Sequence, residues 1–128
     1  MRLVRQAPGS NHCGQACIAT LGQLTLEAAI ELVGTRGKTA TRHLKAALGK
    51  LGIKCGDRRV RGMPDKDETA LLFWKDGGTK GHWTVWHKGK YYDPLAGVFR
   101  KVPRWLENSR VTSHLKVELN ATQDMSTM

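Results

Sequence analysis

Cys13 stands where loop residues give way to a run of good helix formers, Cys13-Gly14-Gln15-Ala16-Cys17-Ile18-Ala19-Thr20-Leu21. A cysteine at a helix N-terminus faces unpaired backbone N–H groups and the positive end of the helix dipole, which favour thiolate over thiol. The thiolate is the nucleophilic form, and it needs a base and a group that orients the base. Both can be read from a hairpin later in the chain. With Lys88-Gly89 as the turn, Trp86 faces Tyr91, Val85 faces Tyr92 and Thr84 faces Asp93. His82 then projects from the same face as Asp93, a diagonal neighbour at roughly 7–8 Å between backbones. A carboxylate so placed holds one ring nitrogen and leaves the other to take the thiol proton. A one-residue slip would send Asp93 to the opposite face, so the constellation depends on that register.

The elements that must position these groups come in two halves. Residues 1–10 read as a loop or short strand, and Ser10 or Asn11 is placed to cap a helix from Cys13 to Leu21, with Gly22 as its stop. Thr25 caps a second helix, Leu26 to Val33, and Thr39 or Thr41 opens a third, Arg42 to Leu51, with Leu44, Ala47, Leu48 and Leu51 on one face. Beyond Ile53 the pattern changes to strands at Lys54–Val60, Thr69–Trp74, His82–Trp86 and Lys90–Asp93, then Phe99–Val102 and His114–Leu119. Asp76-Gly77-Gly78 marks a turn, and Pro103 begins a short helix holding Trp105 and Leu106. Helices first and an antiparallel sheet second give the class α+β. A single domain is expected over residues 1–119, with a polar, disordered tail over 120–128.

Composition narrows the setting. Hydrophobic residues at 40% and charged residues at 25% fit a soluble globular domain. No apolar run approaches the roughly 20 residues that span a bilayer, and no signal-peptide core follows Arg2. Three cysteines, an odd number, suit a reducing compartment, so the expected location is cytoplasmic, with no membrane partner. A net charge of +10 attracts nucleic acid or an acidic protein. Nucleic acid is the less favoured partner, because the chain carries no helix-turn-helix, zinc-finger or RNA-recognition signature. His12, Cys13, Cys17 and His82 could together be weighed as zinc ligands, but the close-spaced cysteine pairs of zinc sites are missing, so neither metal nor cofactor is expected. Cys17 and Cys55 read as structural thiols.

An early cysteine at a helix N-terminus followed by a strand histidine and an aspartate resembles the papain-like cysteine peptidases. The nearer resemblance is to the bacteriocin-processing C39 peptidases and their C39-like relatives. It is carried by Gln6, by Cys13-Gly14-Gln15-Ala16-Cys17, by the Thr41-to-Gly52 helix, by Gly81-His82-Trp83, and by Tyr92-Asp93-Pro94-Leu95-Ala96-Gly97. The resemblance implies a papain-like fold and a thiol peptidase acting on a protein or peptide substrate, with an acidic one fitting the charge. Cys13 would be the nucleophile, His82 the base and later acid, and Asp93 the residue that orients His82. Gln6 would donate to the oxyanion beside the Cys13 backbone N–H, while Gly14, Gly81 and Trp83 would line the substrate cleft. Gln6 stands farther from Cys13 than the family places it, and the His82-to-Asp93 connection is shorter than is common. An isopeptidase, a deamidase or an acyltransferase would use the same apparatus. The competing reading is a basic, non-catalytic binding protein on the same fold, contacting nucleic acid or an acidic surface.

Overall fold

The computed structural model describes residues 1–119, so the tail expected over 120–128 lies outside the described residues. Three helices come first: α1 (Cys13–Gly22), α2 (Leu26–Val33) and α3 (Thr41–Lys50). Seven strands follow: β1 (Lys54–Cys55), β2 (Val60–Arg61), β3 (Thr69–Asp76), β4 (Thr79–His87), β5 (Lys90–Asp93), β6 (Gly97–Phe99) and β7 (Arg110–Glu118). One 3-10 turn, Arg104–Leu106, lies between β6 and β7. All pairings are antiparallel, in the order β1-β7-β3-β4-β5-β6, with β2 pairing β7 beside β1. The class is α+β, with a helical layer on an antiparallel sheet.

Alternation along the strands sorts the sheet into two faces. Leu71, Trp83, Val85, Tyr92, Leu115 and Val117 join the helices in the main core, whereas Ala70, Leu72, Trp74, Trp86 and Leu106 form a second cluster. Helix α1 is buried all round from Gly14 to Leu21, which is what a helix enclosed by other elements requires. It packs against α2, α3 and β4. Helix α2 starts as read from the sequence, with Thr25 Oγ1 accepting the Ala28 backbone N–H. No single helix among the described residues is long and apolar enough to cross a membrane.

The β4–β5 hairpin forms in the anticipated register, Val85 opposite Tyr92, Trp86 opposite Tyr91 and His87 opposite Lys90. Both turn residues are left-handed, Lys88 at φ 49° and Gly89 at φ 78°, which matches the twist of the flanking strands. Asp76, Gly77 and Gly78 likewise all take positive φ between β3 and β4.

Several boundaries differ from the sequence reading. The strand expected at Lys54–Val60 is two short pieces, because both pair with β7 and the residues between them swing away, carrying Arg59 onto an aromatic pair. Strand β7 starts at Arg110 rather than His114, since it follows β3 along its length out to Lys75. The sheet after β5 is Gly97–Phe99 rather than Phe99–Val102, because Gly97 already pairs with Asp93. Neither Ser10 nor Asn11 caps α1; the N-cap position is His12, without a side-chain cap, and its ring Nε2 meets Arg36 O at 2.8 Å instead. At α3 the N-cap is Ala40 rather than a threonine, and its backbone N–H donates to His43 Nδ1 at 2.8 Å.

Candidate active site

Cys13 occupies the place that the hairpin leaves open on β4. Strand β5 pairs with β4 only as far back as Val85, so the β4 backbone at His82 and Trp83 is free on that side. The N-terminus of α1 fills the gap, and the Trp83 backbone N–H donates to the Cys13 sulfur. A second backbone donor comes from Gly14, inside the first helical turn. The missing side-chain cap therefore leaves a first-turn amide to the sulfur. Close packing there requires glycine: a Cβ on Gly14 would lie 2.0 Å from Thr39 Oγ1 and 3.0 Å from Thr39 Cβ. Gly14→Ala is expected to lose about 1–3 kcal/mol from this overlap, against a gain of up to about 1 kcal/mol in helix propensity. Chemical denaturation measures the net loss, and a more stable variant would contradict the tight fit.

The thiol, the imidazole and the carboxyl group form one hydrogen-bonded chain. His82 Nε2 meets Asp93 Oδ1 at 2.8 Å, with His82 4% exposed and Asp93 fully buried. The remaining ring nitrogen is left for the Cys13 thiol, with which His82 shares a hydrogen bond. The Asp93 carboxyl group is held in turn by the Leu95 backbone N–H at Oδ1, 3.1 Å, and by Trp105 Nε1 at Oδ2, 2.6 Å. The Trp105 ring stands edge-on to His82 with centroids 4.8 Å apart.

The proton balance between thiol and imidazole follows from these contacts. For Cys13 burial is the largest influence and opposes ionisation. The hydrogen bond and charge of His82, with the two backbone N–H groups, outweigh it and lower the thiol below its ordinary range. For His82 burial again weighs most and favours the neutral ring. The Asp93 hydrogen bond, then the Cys13 thiol, overcome it and raise the imidazole to about 9. Near neutral pH these shifts favour a thiolate beside an imidazolium. Cys17 has no such support: burial pushes its thiol well up, and it is fully buried among core side chains. Cys55 is also raised, chiefly by burial, and packs on the core edge.

A cavity of about 180 Å³ opens at Cys13 and His82 and is lined in part by Gln6, Gly81, Trp83 and Leu95. Gln6 is 6% exposed and anchored by its own backbone N–H to Pro94 O. Its Nε2 donates to Ser10 O at 3.0 Å and to Ser10 Oγ at 3.4 Å, and Oε1 is buried without a partner. Among the described residues no group of three His, Cys, Asp or Glu side chains converges on a metal position, and the zinc set weighed from sequence is divided: His12 turns to Arg36 while Cys17 lies in the core.

No protein-family model matches this sequence, and no curated protein matches it. Among solved structures the fold is similar to that of a double glycine motif protease from an AMS/PCAT transporter, solved in complex with the leader peptide. The TM-score is 0.64 at 17% identity, over 93% of this chain and 91% of that one. The fold is papain-like. Such a fold sets a helix N-terminus against a sheet, and here that junction brings Cys13 and His82, with Asp93 buried behind the ring, together with Gln6, Gly81 and Trp83 at one cavity. Gly14 sits behind the cavity, packed on Thr39. Trp105 and Thr39 were not singled out from sequence. Trp105 reaches Asp93 from twelve positions away through the 3-10 turn, and no periodicity marks it. Thr39 reads from sequence only as a helix opener, yet it packs against Gly14, the neighbour of Cys13.

Proposed function

We propose that this protein is a cysteine peptidase that cleaves an amide bond in a peptide or protein substrate. The observation that carries the reading is the continuous chain from the Cys13 thiol through His82 to the buried Asp93 carboxyl group. The papain-like fold supports it, and so does the similar protease solved in complex with a leader peptide. In the proposed reaction the Cys13 thiolate attacks the substrate carbonyl carbon, and the C=O electron pair moves onto oxygen. The Cys13 backbone N–H receives that oxyanion, and the Gln6 Nε2 amide joins it by turning from Ser10. Imidazolium His82 gives its proton to the departing amine, leaving a thioester on Cys13. His82 then takes a proton from water, the hydroxide displaces the thiolate, and the acid product leaves. Asp93 holds the ring in the required orientation throughout. Residues 1–119 act as one domain in this proposal, in a reducing cytoplasm that keeps the thiol free.

The test is a comparison of peptides cut by the wild type and by Cys13→Ala. Cuts made by the wild type alone support the proposal, and identical profiles overturn it. Two further outcomes follow from the site. The pH dependence of kcat/KM should be bell-shaped: activity rises as Cys13 ionises below the ordinary thiol range, and falls as His82 loses its proton near pH 9. An alkaline limb near pH 6.5 instead would mean that the imidazole is not raised. Gln6→Ala is expected to lower kcat by about 10²–10³-fold with KM little changed, measured on any substrate cut by the wild type.

A further inference from the structure

Two cations from separate parts of the chain line the Cys13 cleft, and a third stacks on aromatic rings of its wall. Lys38, from the loop between α2 and α3, and Lys80, from β4, both line the cavity. Arg59, from the segment between β1 and β2, lays its guanidinium 4.7 Å from the centroid of Phe73 and 5.9 Å from that of Trp83. Those two aromatic rings are themselves part of the cavity wall. No Asp or Glu lines the cavity, and none of the three cations has an ion-pair partner among the described residues. The carboxyl group close by, that of Asp93, is fully buried and already accepts from His82, Leu95 and Trp105. Beside Lys38 the Thr39 hydroxyl is buried at the wall without a hydrogen-bond partner.

Like charges gathered round an imidazolium repel one another, and a negative group entering the cleft relieves that repulsion. The cation–π seat holds Arg59 against the Phe73 and Trp83 rings, so its charge stays near the cleft. The Thr39 hydroxyl is packed on Gly14, so recognition of a carboxylate falls to the cations. We infer that the cleft selects substrates bearing an acidic side chain next to the bond that is cut, with Lys38, Lys80 and Arg59 as the residues that set this preference. This rests on the cysteine-peptidase reading of the same site and names the substrate class for it. The roughly 180 Å³ of space suits one side chain beside the scissile bond rather than a folded surface.

The experiment has two arms. In the first, the full chain is alkylated by iodoacetate and by iodoacetamide, and the ratio of the two rates at Cys13 is read by peptide mass mapping. Because His82 alone draws the anionic reagent, the comparison is with Lys38→Gln/Lys80→Gln, in which the aromatic wall and Arg59 stay in place, and with Arg59→Gln. The ratio is expected to fall by about threefold or more in the double variant, and to fall in the wild type when salt is raised from about 0.01 M to about 1 M. In the second arm, peptides differing by Glu or Gln beside the cut bond are compared by kcat/KM. The Glu peptide is expected to be favoured by about fivefold in the wild type and by much less in the double variant. An alkylation ratio that does not change in a folded double variant overturns the proposal, as does an equal rate for both peptides. The first arm needs only the thiol, so it decides the charge preference even if no peptide of either kind is cut, a result that would count against the peptidase reading alone.

Discussion

Replacing Cys13 by alanine is expected to lower amide hydrolysis by about 10⁴-fold or more while leaving the fold intact. Nucleophile and base act as a unit, so removing the sulfur removes nearly all of the covalent route at once. The side chain is half-buried at the head of α1, and the change to alanine should shift unfolding by about 1 kcal/mol or less. The same activation can be read without a substrate. Near neutral pH, Cys13 should be alkylated by iodoacetamide at least about tenfold faster than Cys17 or Cys55. The ordering follows from the surroundings, because the thiol of Cys13 is lowered by His82 and two backbone donors whereas burial raises the other two. Equal rates for Cys13 and Cys55 would remove the activated thiolate from the mechanism.

The second large effect is expected at Asp93. Asp93→Ala leaves the Trp105 indole N–H and the Leu95 backbone N–H facing an emptied acceptor site, and takes the partner from a buried imidazole. Loss of one member of a buried pair costs about 3–5 kcal/mol, so the variant should be markedly less stable in urea. Asp93→Asn separates orientation from charge. Its amide oxygen can still accept from His82, but its NH₂ then meets the Trp105 donor, at a cost of about 1–3 kcal/mol. Without the carboxylate, His82 keeps a neutral acceptor but loses the negative charge that helps raise it, so its proton leaves at lower pH. The alkaline limb of activity should therefore move below pH 9, with kcat lowered by up to about 10⁴-fold. An unchanged limb in a folded Asp93→Asn would show that Asp93 does not set the state of the ring.

How far this site could be read from sequence depends on how local each contact is. His82 and Asp93 share one hairpin whose turn, Lys88-Gly89, allows a single register, so alternation was enough to bring them to one face. Cys13 was legible because a run of helix formers begins there, and Leu44, Ala47 and Leu48 marked the buried side of α3. What escaped were groups delivered by tertiary packing. Trp105 arrives from an irregular segment after Pro103, and Arg59 from the break between two strands that looked like one. The α1 cap escaped for a different reason: Ser10 and Asn11 have the right chemistry, but Ser10 Oγ accepts from the His12 backbone N–H and the Gln6 amide, and the helix begins beyond both.

The division of the site between layers has a consequence for how it is made and lost. His82 and Asp93 lie eleven positions apart on one hairpin, whereas Cys13 belongs to a helix that meets the sheet through β4. The imidazole–carboxyl pair is thus a local product of the hairpin, and the lowering of the Cys13 thiol requires that α1 has docked on it. Slight parting of helix and strand separates sulfur from ring while both layers keep their hydrogen bonds. The reactivity of Cys13 is in this sense a gauge of that seam, quenched by the first local opening and restored by the last step of assembly.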